Sequence, residues 1–265
     1  MNSNEHILFL KKRKKEKRLI RFFRVSIILA FVLMWELFAE FKMINTFLYS
    51  SPSLVCKTLF DLFKSGELLR HVCITLVEVF ISFFVASSLG IFISSIMWRF
   101  KICAKVLEPY LTILNSLPKV ALGPLIIIWV GASMNSIIFM ALTISIFITI
   151  INVYNFFVST PNDYVALMQS FGANNFLIFT KLIIPWNILN IISVLKVNIS
   201  MSLIGVIMGE LLVSKEGLGY LIMYGSQVFN INLVISSVII LGVLSYLMYL
   251  IIDIIEVFIS RKITG

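Results

Sequence analysis

The chain of 265 residues is 60% hydrophobic and 13% charged, whereas a water-soluble domain is typically about 45–50% apolar and about 25% charged. A soluble globular domain has too little interior for so much apolar surface, so that class is excluded and lipid becomes the solvent. The net charge of +9 would point to nucleic acid if it were spread over a folded surface, but it gathers at the front of the chain.

There, Lys11, Lys12, Arg13, Lys14, Lys15, Lys17, Arg18, Arg21 and Arg24 precede the first apolar run. Such a block at a membrane edge acts as a topology signal and contacts anionic lipid on the cytoplasmic side; this is preferred to a nucleic-acid arm. The run from Val25 to Leu37 meets no small-x-small cleavage site and continues into Phe38, Phe41 and Met43, so an uncleaved anchor is expected.

Six spans are predicted, over about 25–43, 72–98, 106–131, 135–158, 186–213 and 231–258, each near the roughly 20 residues that cross a bilayer core. No Pro/Gly/Ser-rich linker divides them, so one domain over 1–265 is expected, with residues 1–24 as a basic cytoplasmic segment. Placing that segment inside puts 99–105, 159–185 and the tail at Arg261 and Lys262 in the cytosol; 42–70, the turn near Ala132 and 214–230 lie outside. The expected location is the bacterial inner membrane, with both termini cytoplasmic.

Within the first outer segment, Ser51-Pro52-Ser53 precedes Leu54, Val55, Leu59, Leu62 and Phe63 at helical spacing. An amphipathic helix is predicted there, either lying on the membrane surface or packed against neighbouring spans. In the third span Lys119 stands between Pro118 and Pro124, beside Gly123. A kink or break is expected, whose freed backbone groups need a cavity or neighbours.

The loop after the fourth span reads PNDYVALMQSFGANNFLIFTKLIIP from Pro161 to Pro185, and its first half is too polar to cross lipid. Pro161 and Asn162 start a helix, Asp163 suits its first turn, and Gly172 ends it before a second short helix running to Pro185.

Ionisable residues inside spans are costly and face protein or water. Lys119 and Lys196 are expected at roughly 20 and 15 Å from the inner ends of their spans, with Glu210 nearer the outer face. Lys119 is the leading candidate for a translocation pathway; the alternatives are snorkelling to the inner headgroups or a bond to a neighbouring carbonyl. Lys196, followed by Asn198, Ser200 and Ser202, either lines a polar path or packs helices through hydrogen bonds. No acid is assigned to either lysine, which weakly favours an anionic solute. Asp253 and Glu256 read as flanking the membrane edge.

Trp129, Tyr154, Phe156 and Phe157 read as interfacial or packing aromatics rather than a ligand cage. Cys56, Cys73 and Cys103 lack disulfide or metal spacing, and neither His6 nor His71 has a partner ligand nearby in sequence. No Gly-x-x-x-x-Gly-Lys-Ser/Thr loop is present, so the chain has no P-loop for ATP. A membrane-embedded enzyme would need convergent Ser/His, His-Glu-x-x-His or paired carboxylate chemistry. A stand-alone proton-coupled carrier would need midplane acids or histidines and an internal repeat. Neither pattern is found.

Gly172 is followed, after nine residues, by Leu182-Ile183-Ile184-Pro185. This spacing resembles the EAA loop of permeases from binding-protein-dependent ABC importers. The polar half departs, with Ala166, Leu167 and Met168 standing where the family has its acid and two alanines. The likeness extends to Trp35-Glu36, Pro52-Ser53, the run from Leu117 to Leu125, Trp129-Val130-Gly131, Glu210, and Gly217-Leu218-Gly219-Tyr220-Leu221-Ile222. In that order and spacing the chain resembles the nitrate/sulfonate/taurine branch, which includes carriers of thiamine-precursor pyrimidines.

The resemblance implies an all-α permease bundle acting as a homodimer with two ATPase subunits and an extracytoplasmic solute-binding protein. ATP and Mg would sit on the ATPase, leaving no cofactor or metal in this chain and no enzymatic activity of its own. The loop would be a coupling helix, with Asp163, Ala166, Gln169, Ser170, Phe171, Gly172, Ala173 and Pro185 as its docking region. Read without the family, Gly172 simply ends a helix. Pro118, Lys119, Gly123, Pro124, Lys196 and Glu210 are the candidate pathway residues. Gly217 and Gly219 fall near an outer gate, where Glu210 could equally make a structural bond to the re-entering backbone.

Overall fold

The computed structural model describes the backbone of residues 3–264 and the side chains of 12–262 other than Lys14 and Lys17. The basic-block assignment at Lys11, Lys14 and Lys17 therefore lies outside the described side chains. The described residues form helices and connecting turns without strands. Five helices are long and apolar enough to span a membrane, and a bent pair has the length and composition of a sixth when its two pieces are taken as one span.

Helix α1 (Ser3–Glu40) starts well before residue 25, because the basic stretch Lys11 to Arg24 is itself rich in helix formers; its apolar part is Arg18–Glu40. A short α2 (Thr46–Tyr49) leads to α3 (Pro52–Lys64), the expected amphipathic helix. Ser51 Oγ caps α3 by accepting the Leu54 N–H at 3.3 Å, and the Glu36 carboxylate accepts the Ser53 N–H at 2.9 Å. The Trp35-Glu36 and Pro52-Ser53 pieces are thus one joint, an acid at a helix start where the dipole favours it. Helix α3 packs on α4 (Glu67–Arg99) and α12 (Ile231–Thr264) with Val55 buried, so packing, rather than free lipid contact, explains its inner face.

The third predicted span is not a straight helix over 106–131. It consists of α5 (Lys101–Ser116), a 3-10 turn (Lys119–Leu122) and α6 (Gly123–Val130), bent by 85°. The residue before a proline is pushed out of the helical region, and Leu117 accordingly has ψ 140°. The expected break is real, and it divides the crossing in two.

Helix α7 (Met134–Val158) opens with a capping box in which Ser133 and Ser136 exchange bonds. After α8 (Asn162–Ser170), α9 (Asn175–Ile178) runs through a π-helical stretch (Phe179–Ile183) into α10 (Ile184–Val213) without interruption. Pro185 is no boundary: it falls directly after the wider π-helical stretch, where the regular α-helical ladder restarts and the missing proline N–H is accommodated. The fifth span therefore begins near 175 rather than 186, and 39 residues make a shaft of about 58 Å. Helices α11 (Leu218–Gln227) and α12 complete the chain.

The core lies where α4, α7 and α10 meet, around Val79, Phe83, Ala141, Leu203 and Val206. Without a hydrophobic drive between helices in lipid, close approach depends on small residues. A Cβ on Gly205 would run into the backbone of Ala141, and one on Gly209 would lie 2.9 Å from Ile137 Cα. Gly205→Val is expected to force α7 and α10 apart at a cost of about 1–3 kcal/mol. Lower melting temperature of the purified protein in lipid nanodiscs checks this, and an unchanged value would refute the packing.

Candidate functional site

Two polar constructions sit near opposite ends of α10. The first is the loop between α7 and α10. Val165, Met168 and Ala173 pack against Val153, Phe157, Ile178 and Ile183, which seats α8 on the ends of α7 and α10. The opposite face is unpartnered. Asp163, Ala166, Leu167, Gln169 and Ser170 are exposed, and Phe171 is 80% exposed.

Gly172 has φ +78°, a conformation that L side chains rarely adopt. Its N–H bonds the Gln169 carbonyl at 2.9 Å, and the Ala173 N–H bonds the Met168 carbonyl at 3.0 Å, the Schellman pattern that satisfies terminal carbonyls. The space around Gly172 is open within 4 Å, so its role within the chain is the turn itself. Pro185 lies exposed about three turns into the joined shaft.

The second construction caps α11. His71, Thr75 and Glu78 recur at positions i, i+4 and i+7 of α4 and so share one face. His71 Nδ1 accepts the Gly217 N–H at 2.9 Å, Thr75 Oγ1 accepts the Leu218 N–H at 2.9 Å, and Glu210 Oε2 accepts the Gly219 N–H at 2.5 Å. Thr75 donates its own proton to Glu210 Oε1 at 2.6 Å. Helix starts leave N–H groups unsatisfied, and here buried side chains from two other helices take them up. Glu210 is 1% exposed, so its carboxyl meets the positive end of α11 out of water.

Gly217 has φ +100°, and a Cβ there would strike the Glu210 carboxyl; a Cβ on Gly219 would lie 2.7 Å from Glu210 Cβ. Glu78 sets its carboxyl against that of Glu210 and borders a cleft of about 660 Å³ running past Ser133, Val213 and Lys215. Outside the cap, Arg70 pairs with Glu216 at the surface.

The structure brings Glu210, Gly217 and Gly219 together, with Glu210 bonded to the re-entering backbone at the Gly219 N–H. It does not bring the two lysines together. Lys119 Nζ donates to the Asn115 carbonyl at 2.6 Å and to Asn115 Oδ1 at 3.3 Å, so its stem bends back along α5. Pro118 and Pro124 are exposed, while Gly123 is buried against Leu212 and Met140.

Lys196 is not without an acid. Its ammonium donates to Asp253 at 2.5 Å and pairs with Glu256, 5.2 Å from the Tyr249 ring centroid. Asp253 and Glu256 therefore do not simply mark the membrane edge; one turn apart on α12, they face α10. Asn198 donates to Ser87 at 2.6 Å, joining α10 to α4.

Sequence reasoning read His71 as isolated and passed over Thr75 and Glu78, although their spacing was a legible polar stripe. Among the described residues no group of three or more His, Cys, Asp or Glu could hold a metal, and the three cysteines are free.

With this geometry in view, the family model described as "binding-protein-dependent transport system inner membrane component" matches residues 86–265. A probable ABC transporter permease protein of Haemophilus influenzae is 29% identical over 237 residues, covering 88% of this chain and 95% of that protein. The formylaminopyrimidine transport permease protein ThiX of Halalkalibacterium halodurans is 28% identical, with 72% of this chain and 76% of that protein covered. A putative aliphatic sulfonates transport permease protein, SsuC of Bacillus subtilis, is 26% identical, with coverage of 82% and 78%. Among solved structures, an inward-facing conformation of the MetNI methionine ABC transporter aligns with a TM-score of 0.66 at 18% identity, covering 76% of this chain and 98% of that one.

Proposed function

Because the chain belongs to the binding-protein-dependent transport system inner membrane components, it is a membrane-spanning permease subunit of an ABC importer working with a separate ATPase, and we propose that α8 with its Gly172 turn is where that ATPase pushes. One observation carries this reading. An unpartnered helix face with exposed Leu167 and Phe171 is seated on a shaft that continues unbroken to Glu210 and the α11 cap. A displacement at α8 is thereby delivered to the far end of the bundle, since packed helices move as rigid elements.

We further propose that two copies of the chain enclose the pathway, that two ATPases bind ATP and Mg, and that an extracytoplasmic solute-binding protein delivers the solute. The basic front and α8 face the cytosol, and the α11 cap faces outward. Lys119 with Pro118 and Pro124 supplies pathway surface at the break between α5 and α6, with Gly123 packed behind it, whereas Lys196 serves packing through Asp253 and Glu256. The solute is a small polar molecule of the sulfonate or thiamine-precursor pyrimidine kind, a class taken from the relatives. With Lys196 neutralised, two unmatched lysines no longer argue for an anion.

The test is thiol cross-linking in the co-expressed permease–ATPase complex, with Cys56, Cys73 and Cys103 replaced by serine. Cysteine at Ser170 is expected to cross-link to the ATPase, while cysteine at Ser133 is not. Cross-links from Ser133 alone would reverse the orientation and the docking assignment together.

A further inference from the structure

Two hollows meet behind the coupling loop. One is a cleft of about 440 Å³ at the corner between α4 and α5, within the size of small-molecule sites. Arg99, Lys101 and Lys105 line it together with Asn162, Gln169 and Asn175, and no carboxylate does. Among the described residues none of these three cations forms an ion pair; Arg99 instead rests over Phe100, 5.3 Å from the ring centroid. Glu108, one turn beyond Lys105, borders a separate hollow with Tyr154.

Two helices also begin at this cleft. Lys101 opens α5 and Asn162 opens α8, and neither start has a side-chain cap. Their free N–H groups and positive dipole ends add to the field of the three cations. The chemistry fits an anion with several acceptor oxygens, which a phosphate supplies.

The second hollow, about 280 Å³, shares Trp98, Arg99 and Asn175 with the first. Apart from Ser95, its remaining walls are apolar: Phe92, Ile96, Phe100, Phe176 and Phe179. A cationic, donor-rich cleft adjoining an aromatic groove across Trp98, Arg99 and Asn175 matches a molecule that has a phosphate head and a hydrocarbon tail. A free inorganic anion would leave the groove unused. We propose that an anionic phospholipid binds here, its phosphate held by Arg99, Lys101 and Lys105 and an acyl chain lying along Phe100, Phe176 and Phe179.

The walls belong to both sides of the loop: α4 and α5 on one, and α8, Gln169 and Asn175 on the other. A bound lipid therefore bridges the fixed bundle to the lever and sets how freely α8 moves. Only this regulatory consequence rests on the coupling reading above; the binding does not.

The experiment uses the whole permease–ATPase complex in nanodiscs. Retained phosphatidylglycerol is counted by native mass spectrometry, and a photoactivatable phosphatidylglycerol is mapped by peptide sequencing. Wild type is expected to hold the lipid and to label peptides 92–105 and 175–179. Arg99→Gln with Lys105→Gln, both exposed positions, is expected to weaken retention by roughly tenfold or more, with Arg99→Lys close to wild type. Equal retention by the double variant, or labelling confined to other peptides, would overturn the site. In phosphatidylcholine-only discs, inorganic phosphate at millimolar concentration is expected not to shift the melting temperature. A shift that Arg99→Gln abolishes would assign the cleft to a soluble anion instead. ATPase coupling measured in the same discs can fail without touching the binding result, which keeps the two readings separable.

Discussion

Glu210→Ala is expected to unseat α11 and to cost much of the stability of this end of the bundle. The carboxylate serves two buried donors, the Gly219 N–H and the Thr75 hydroxyl. Alanine leaves both without an acceptor in a site that excludes water, at roughly 2–5 kcal/mol for the pair. Thr75 is also the acceptor for Leu218 N–H, so a hydroxyl released to reorient compromises a second cap bond. Glu210→Gln keeps one acceptor oxygen and is expected to fall between alanine and wild type. Thermal unfolding in nanodiscs orders the three proteins. Gly219→Ala should resemble Glu210→Ala because its methyl group contests the same carboxyl space. Should Glu210→Ala and wild type melt together, the cap would be incidental.

Gly172→Trp is expected to abolish uptake while the protein still inserts and the ATPase still turns over. The position has φ +78° and opens onto free space. An indole would thus not crowd this chain; it would strain the turn by about 1 kcal/mol and obstruct whatever docks beside Phe171. Solute uptake and ATP hydrolysis, measured in the same proteoliposomes, separate this outcome from misfolding. Gly172→Asn, which tolerates the left-handed region better than most residues, should recover much of the coupling. Full uptake by the tryptophan variant would remove α8 from the ATPase interface.

Both predictions concern residues that a linear reading singled out, yet they were legible to different degrees. Gly172 announced itself by position, since a glycine closing a polar helix after Pro161 needs only local geometry, and the turn formed as expected. Glu210 was visible as a buried acid within reach of the re-entering backbone, but its second partner, Thr75, lies on α4 and was not. His71 looked like an isolated histidine for the same reason: the Gly217 N–H that it accepts is 146 residues away.

Lys196 shows the opposite failure. Read along its own helix it had no acid within reach, and Asp253 and Glu256 looked like edge residues, until the packing of α12 on α10 set them opposite one another. The third span was legible as broken but not in its shape. Pro118 foretold the break, but hydropathy cannot distinguish one tilted helix from two pieces bent by 85°.

The sequence by itself determined that this chain lives in lipid, roughly where its apolar stretches lie, and that a wet loop interrupts them. Those properties follow from local hydropathy, proline and glycine geometry, and family spacing, all carried by residues close together in the chain. Only the tertiary structure decided which ionisable groups are paired, which glycines are contact points, and which hollows adjoin. These depend on distances between helices far apart in sequence, set by the packing of α4, α7, α10 and α12, and no one-dimensional pattern encodes them.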